Sequence, residues 1–207
     1  MEALISVDRL CKTYDRFQLK DVTFEVPKGS IVGFIGENGA GKTTTIKTMI
    51  GAARKDGGQV RMFGKDFAMH EKEIKQDIAV VIENSYFYDD LKAKDVAKVM
   101  RKVYKNWDDA RFRAYLDEFR LPQDKKIKEF SKGMRMKMSL ATALSHRPKL
   151  LILDEPTSGL DPIVRNEVLD VFLEFIQDEE HGILFSSHIT TDLEKIADYI
   201  VFIHNGE

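Results

Sequence analysis

The sequence is poor in cysteine and in long apolar segments. Cys11 is the single cysteine among 207 residues, so the chain cannot form an internal disulfide, which fits a reducing compartment. Apolar runs such as Tyr199–Ile203 fall far short of the about 20 residues that a membrane helix needs. The first ten residues include two acids and lack the basic start and apolar stretch of a signal peptide. If the protein serves a membrane, we expect another chain to cross it.

A large excess of charge of one sign is also missing. The formal net charge is -2, with 43% hydrophobic and 32% charged residues, a balance that is typical of a globular protein and argues against extensive nucleic-acid binding. We interpret one basic cluster as a solvated face; it comprises Lys125, Lys126, Lys128, Lys132, Arg135 and Lys137. The length allows one domain with an inserted lobe.

Short apolar runs and helical segments together predict an α/β core. Val22, Phe24 and Val26 alternate with polar residues, as in a strand with one buried face. Further strands are predicted at Ile31–Ile35 and, buried on both faces, at Ile78–Ile82, Leu150–Leu153, Ile183–Phe185 and Tyr199–Ile203. Helices are predicted at Lys92–Tyr104, Asp108–Arg120 and Lys132–Leu144. Asp161 and Pro162 predict the start of another helix, which runs to about Gln177. We therefore expect a single domain over 1–207, with a core formed by 1–83 and 146–207 and a helical subdomain over 84–145.

The last predicted strand is followed by His204-Asn205-Gly206-Glu207. An Asn-Gly pair favours a tight hairpin turn. No returning strand follows this turn, so we expect the natural protein to continue beyond residue 207.

A glycine-rich loop joins the strand Ile31–Ile35 to a helix predicted from Lys42 to about Ile50. Its sequence, Gly36-Glu37-Asn38-Gly39-Ala40-Gly41-Lys42-Thr43, matches the phosphate-loop pattern at every fixed position. Glycines allow several backbone N–H groups to face one anion, and the helix presents its positive end to it. Lys42 is expected to reach the β- and γ-phosphates, and the Thr43 hydroxyl to contact Mg²⁺. This motif alone predicts binding of a nucleoside triphosphate.

Two acids follow the apolar strand Leu150–Leu153. Ligands of doubly wound sheets bind at the carboxyl ends of the strands, so Asp154 is expected beside the phosphate loop, where an aspartate holds Mg²⁺. Glu155 is the candidate for orienting and deprotonating an attacking water. His188 ends the strand Ile183–Phe185 on the same side, and we interpret it as a group that reaches the γ-phosphate.

These motifs, in this order, resemble those of the ABC ATPase family over nearly the whole chain. Tyr14 stands where the family stacks an aromatic ring on adenine, although Phe17 is close enough to compete. The other matching segments are Glu83 at the Q-loop position, the signature Phe130-Ser131-Lys132-Gly133-Met134, Asp154-Glu155-Pro156, the D-loop Ser158-Gly159-Leu160-Asp161, and Ser186-Ser187-His188 with the switch histidine. The resemblance implies a P-loop α/β fold of the ABC type, with an N-terminal antiparallel β part and an inserted helical subdomain.

The resemblance also implies the site residues. It assigns catalytic roles to Lys42, Glu155 and His188. The metal contacts are Thr43, Glu83 and Asp154. ATP contacts are Tyr14, Gly36, Glu37, Asn38, Gly39, Ala40, Gly41, Lys42, Thr43, Thr44, Ser131, Lys132, Gly133 and Asp161.

Two segments depart from the family pattern. Glu83 is a carboxylate where the family usually has glutamine, and the signature carries Lys132 and Met134 in place of glycine and glutamine. Ser131 and Gly133, which recognise the γ-phosphate in the family, are retained. Such a signature is similar to that of single-domain bacterial ATPases paired with separate export permeases, including those for peptides and antibiotics.

The resemblance implies two protein partners and a place at the cytoplasmic face of the membrane. In the family, two chains pack head to tail, and each ATP lies between one phosphate loop and the other chain's signature. A separate permease is the second partner. We expect it to be anchored by the aromatic group Tyr86, Phe87, Tyr88 and Leu91, although these side chains would equally close the core of the helical lobe.

Two other functions compete with transport. A soluble ABC-type ATPase acting on ribosomes or DNA usually has two cassettes or long coiled-coil insertions, whereas this chain has one phosphate loop and no sustained heptad run. A small-molecule kinase with the same loop explains neither the signature nor His188. We therefore predict an ATPase that drives export, with ATP and Mg²⁺ as cofactors and no nucleic acid as partner.

Overall fold

The computed structural model describes residues 2–82 and 89–207. Its strands are β1 (Ala3–Tyr14), β2 (Phe17–Pro27), β3 (Ile31–Ile35), β4 (Gly57–Met62), β5 (Lys65–Asp66), β6 (Ile78–Val81), β7 (Leu150–Asp154), β8 (Gly182–Ser187) and β9 (Tyr199–Phe202). Its helices are α1 (Lys42–Met49), α2 (Phe67–Asp77), α3 (Ala93–Val103), α4 (Asp109–Glu118), α5 (Lys132–Leu144), α6 (Pro162–Phe175) and α7 (Thr190–Ile196), with a 3₁₀ turn at Ile127–Glu129.

The strands form two sheets of different character. One is antiparallel, in the order β2-β1-β4-β5, and the other is parallel, in the order β6-β7-β8-β3-β9. In β2 the side chains of Val22, Phe24 and Val26 are buried between exposed polar ones, as their alternation predicts, and Leu19 is buried as well. The predicted α/β class with an N-terminal antiparallel part is confirmed.

The central strands of the parallel sheet are apolar throughout because both of their faces are covered. Leu150 and Ile152 pack with α1 and the antiparallel sheet, whereas Leu151 and Leu153 pack with the helices that follow β6. All four side chains have no exposed surface. Burial on both faces, as predicted for this run, is confirmed.

The prediction that Tyr199–Ile203 is buried on both faces is wrong. β9 is the edge strand of the parallel sheet and, among the described residues, pairs only with β3. As a result, Phe202 is 74% exposed, and Tyr199 and Ile200 are more than one third exposed. The tight turn after it is confirmed, since Asn205 and Gly206 have φ values of 48° and 84°, as a type I′ turn requires.

Helices α3 to α6 lie where the sequence predicts them. Asp161 caps α6 by accepting hydrogen bonds from Ile163 N and Val164 N, and Pro162 occupies the first turn. Between Asp89 and Ser145 the described residues form helices and no strand, in keeping with the expected helical subdomain. The boundaries set at 84 and 145 stay a prediction.

The start of this helical region contacts both α5 and the segment before it. Arg135 Nη1 lies 2.8 Å from Asp89 Oδ1, and Asp90 Oδ1 is within 3.0 Å of both Lys126 and Lys128 Nζ.

Every helix in residues 2–82 and 89–207 is too short or too polar to span a lipid bilayer.

Candidate functional site

The loop between β3 and α1 has a backbone that only small residues allow. Gly39 and Gly41 have φ values of 84° and 119°, in the region that favours glycine. A Cβ on Gly41 would also lie 2.8 Å from Leu19 Cδ2, so the antiparallel sheet closes on the loop from one side. The strand, loop and helix follow each other in the predicted order.

Lys42 lies inside this loop and is only 6% exposed. Its Nζ donates hydrogen bonds to the carbonyl oxygens of Gly36 at 2.6 Å and Glu37 at 3.2 Å. The same ammonium lies 3.1 Å from Glu155 Oε1, where it forms an ion pair without hydrogen-bond alignment. The phosphate-loop lysine and the acid after Asp154 are therefore direct neighbours.

Asp154 ends β7 fully buried, with a donor on each carboxylate oxygen. Thr43 Oγ1 donates to Oδ2 at 2.8 Å, and Ser186 Oγ donates to Oδ1 at 2.7 Å. The structure thus brings Thr43 and Asp154, the two predicted metal contacts it describes, into direct contact. Ser186 has no predicted role, because a serine at a strand end gives no distinctive signal in a sequence.

Glu155 turns away from the strand into the pocket. Its φ is 52°, an unusual value for a residue with a side chain, and the carboxylate is almost fully buried. His188 Nδ1–H donates to Oε2 at 2.7 Å, which fixes the tautomer because a carboxylate accepts only. Among the described residues, Oε1 accepts no hydrogen bond.

A pocket of about 600 Å³ opens above the phosphate loop. Tyr14 and Phe17 form its apolar wall, and Arg16 adds a cation that none of the sequence motifs predicts. Lys12 Nζ lies 5.1 Å from the centre of the Tyr14 ring and 3.2 Å from Asp56 Oδ1. The remaining lining comprises Glu37, Asn38, Gly39, Gly41, Lys42, Thr43, Thr44 and Glu155.

No cluster of three or more His, Cys, Asp or Glu side chains suited to a metal ion occurs in the described part of the chain. Thr43 Oγ1 and Asp154 Oδ2, which lie 2.8 Å apart, are oxygen atoms near the loop that suit a metal ion. Glu83, the third predicted metal contact, lies outside the described residues, as do Tyr86, Phe87 and Tyr88.

The predicted signature and D-loop residues do not line this pocket. Ser131 directly precedes α5 and caps it by accepting a hydrogen bond from Met134 N at 3.2 Å. A Cβ on Gly133 would lie 3.0 Å from Val164 Cγ1, and one on Gly159 would lie 2.7 Å from Lys132 Nζ. The N-terminal ends of α5 and α6 therefore share one surface, on which Ser131, Lys132 and Asp161 are exposed.

Comparison with known proteins agrees with this arrangement. Residues 19–158 match the family model described as ABC transporter. The chain is 35% identical over 210 residues to the bacitracin transport ATP-binding protein BcrA of Bacillus licheniformis, covering 100% of this chain and 69% of that protein. It is 35% identical over 207 residues to the lantibiotic transport ATP-binding protein SrtF of Streptococcus pyogenes, covering 99% of this chain and 88% of that protein.

The fold of a solved structure gives the same result. The structure described as the ATP binding subunit of an ABC transporter superposes with a TM-score of 0.88 at 33% identity, covering 98% of this chain and 87% of that one. The chain belongs to the ABC transporter family, as an ATP-binding subunit that hydrolyses ATP in support of transport.

Proposed function

We propose that two copies of this chain close around ATP and that closure drives a separate transmembrane permease in export. One observation carries the proposal. Lys42, Asp154 and Glu155 meet at the phosphate loop, whereas the exposed Ser131 lies on a surface that does not line that pocket. A second copy is the simplest source of the missing half of the site.

Each side chain around the loop has a distinct task in this proposal. Lys42 binds the β- and γ-phosphates, and doing so requires it to leave the Glu155 carboxylate. Glu155, once released, accepts a proton from the attacking water through Oε1, the oxygen without a hydrogen-bond donor among the described residues. His188 holds the other oxygen and thereby orients the base.

The residues near the loop fit Mg²⁺ that arrives with the nucleotide. Mg²⁺ usually takes one or two protein oxygens and completes its shell with phosphates and waters. Thr43 Oγ1 and Asp154 Oδ2 are such a pair, and no larger acidic cage is required. Bound Mg²⁺ neutralises charge on the β- and γ-phosphates. Glu83 is proposed as a further contact from its place in the sequence alone.

The second copy would contribute the start of α5. A helix N-terminus favours anions because its first N–H groups point outward, and Lys132 adds a positive charge beside it. We therefore propose that Ser131, Lys132 and Gly133 contact the γ-phosphate held by the other copy. Asp161 lies on the same surface and is proposed to cross the dimer interface.

The names of two relatives indicate a chemical class for the transported substrate. BcrA and SrtF are named for bacitracin and lantibiotic transport, so we propose a peptide antibiotic as the exported substrate. The chain would then lie at the cytoplasmic face of the membrane, attached through the permease. The contact is proposed to involve Tyr86, Phe87, Tyr88 and Leu91, of which Leu91 is partly buried against the hydrophobic core.

Purification of the tagged full-length protein from detergent-solubilised membranes tests this function. We expect a membrane protein with several spans to purify with the chain and to be identified by mass spectrometry. Combined replacement of Tyr86 and Phe87 by alanine is the matched variant, which should lose the membrane protein while basal ATP hydrolysis is retained. Sedimentation of the chain with ribosomes, and no enriched membrane protein, would overturn the proposal.

A further inference from the structure

Ser186 lies at a point where two strands present their ends to the phosphate loop. It is the direct register partner of Asp154 in the parallel pairing of β7 with β8, so the two side chains leave the sheet on the same face. The serine has no exposed surface. Its hydroxyl therefore makes its hydrogen bonds with protein groups.

The hydroxyl of Ser186 uses both its donor and one acceptor site. Its Oγ donates to Asp154 Oδ1 at 2.7 Å and accepts from the backbone N–H of Glu155 at 3.2 Å. One buried oxygen thus contacts the side chain of one acid and the backbone of the next.

We propose that Ser186 is a positioning residue for ATP hydrolysis, which sets the orientation of Asp154 and of Glu155 together. This inference rests on the metal and base roles proposed above for the two acids. Thr43 holds Asp154 Oδ2 from the loop side, and Ser186 holds Oδ1 from the sheet side. With both oxygens held, the carboxylate plane is fixed before nucleotide arrives.

The backbone of Glu155 needs the same support. Its φ of 52° places it in a region that residues with a Cβ seldom adopt. The N–H of Glu155 lies between two acceptors of Ser186, the carbonyl oxygen at 3.1 Å and the hydroxyl at 3.2 Å. This conformation turns the Glu155 side chain toward Lys42 and His188 instead of continuing the strand.

The chain offers a closely matched control. Ser187 is adjacent and equally buried, but its hydroxyl accepts from the backbone N–H of Ile189 at 2.9 Å, at the start of α7. Ser186→Ala and Ser187→Ala each delete one buried hydroxyl, and only the first deletes a contact with the two acids. Ser186→Thr keeps the hydroxyl and is the conservative variant.

Binding of Mn²⁺ together with a non-hydrolysable ATP analogue, followed by electron paramagnetic resonance, tests the inference on the full-length protein. We expect Ser186→Ala to weaken Mn²⁺ binding by about 10- to 100-fold, the usual effect of losing a group that orients a metal ligand. Single-turnover ATP hydrolysis should slow by a similar factor. Ser186→Thr should restore both, and Ser187→Ala should bind Mn²⁺ as the unaltered protein does, even if its melting temperature falls.

Three results would overturn the inference: unaltered Mn²⁺ affinity in Ser186→Ala, equal weakening in Ser187→Ala, or equal weakening in Ser186→Thr. A different result would contradict the proposed function without contradicting the role of Ser186. Near-normal single-turnover hydrolysis by Glu155→Gln would remove Glu155 as the base, but it would leave the Mn²⁺ result unchanged.

Discussion

The ammonium of Lys42 lies 3.1 Å from the carboxylate of Glu155, and both side chains are almost fully buried. Removing one partner of a buried ion pair costs about 3–5 kcal/mol because the other charge is left without a counter-charge. In the proposed mechanism phosphate oxygens compete for the same ammonium, so we expect ATP binding to exchange one anionic partner of Lys42 for another. The ion pair thus places the proposed base directly beside the lysine that is proposed to bind phosphate.

Replacing Lys42 by alanine should therefore have two separable effects. ATP affinity should fall by roughly 10- to 100-fold, because a hydrogen bond between charged groups is worth about 1.5–3 kcal/mol. The melting temperature should fall as well, since Glu155 is left buried without its cation. Nucleotide titration and thermal unfolding measure the two effects independently.

The double variant Lys42→Ala with Glu155→Gln separates the loss of ATP affinity from the loss of stability. It should regain part of the lost stability, because the uncompensated charge is gone, and should still bind ATP weakly. Unchanged ATP affinity in either variant would contradict the phosphate role of Lys42.

Glu155→Gln keeps the shape of the side chain but removes its ability to act as a base. We expect ATP and Mg²⁺ to bind normally, and single-turnover hydrolysis to slow by about 100- to 10,000-fold, the usual contribution of general-base catalysis. The variant should accumulate as the ATP-bound dimer. Asp154→Asn is the comparison, and it should differ by requiring more Mg²⁺. If Glu155→Gln hydrolyses ATP at a near-normal rate, His188 and Glu83 are the next groups to test.

Ser131 should be required for ATP-dependent dimerisation. In the Glu155→Gln background, Ser131→Arg is expected to prevent the dimer that light scattering detects with ATP, because it places a long side chain where the second nucleotide would lie. Ser131→Asp is the sharper variant, since aspartate still caps α5 but repels phosphate.

An arginine at the exposed Ala114 of α4 controls for the added side chain and should leave dimerisation intact. The same ATP-dependent dimer in both Ser131 variants would rule out the composite site.

Tyr14 should provide the face on which adenine stacks. Lys12 lies over its ring, and the ring borders the pocket, whereas Phe17 is half-buried with its Cζ 2.9 Å from a Cβ placed on Gly41. Tyr14→Ala should weaken ATP binding by roughly 5- to 100-fold, because stacking a base on an aromatic ring is worth about 1–3 kcal/mol. Tyr14→Phe should bind normally. If Phe17→Leu weakens ATP binding and Tyr14→Ala does not, Phe17 and not Tyr14 is the residue that stacks on adenine.

His146 should make stability depend on pH. Burial lowers the pKa of His146 below its ordinary value of 6.5; the ring stacks on Tyr104, and its Nε2–H donates to the carbonyl of Ile78. Below pH 6.5 the unfolded chain binds a proton that the folded chain does not, so stability present above that pH is lost as the pH falls. The melting temperature should drop between pH 7.5 and 5.5.

His146→Gln should flatten this drop, whereas the exposed variant His70→Gln should retain it. An equally steep drop in His146→Gln would assign the pH dependence to other groups.

The sequence predicts elements whose signals are local. The glycine-rich loop defines the start of α1, and Asp161-Pro162 defines that of α6, because capping and positive φ depend on neighbouring residues. Helices α2 and α7 are not predicted, since the polar stretch Phe67–Asp77 and the short Thr190–Ile196 lack a clear apolar stripe. An apolar run also cannot distinguish an edge strand from a central one, so the exposure of β9 is missed.

Contacts between distant residues are the part that the sequence does not predict. The motifs identify Lys42 and Glu155 separately, and only the folded chain shows that they form an ion pair. Ser186 is missed for the same reason: its importance comes from its register opposite Asp154, which depends on how β7 and β8 pair.

The strand that leads into the phosphate loop has both of its neighbours late in the chain. β3 lies between β8 and β9, so within residues 2–82 and 89–207 the strand Ile31–Ile35 pairs only with residues 182–187 and 199–202. During synthesis the ribosome releases the loop long before these partners exist, and pairing between such distant segments is slow because a long chain must first close. We therefore expect the strand that leads into the phosphate loop to be paired on both sides only after residue 202 has been synthesised.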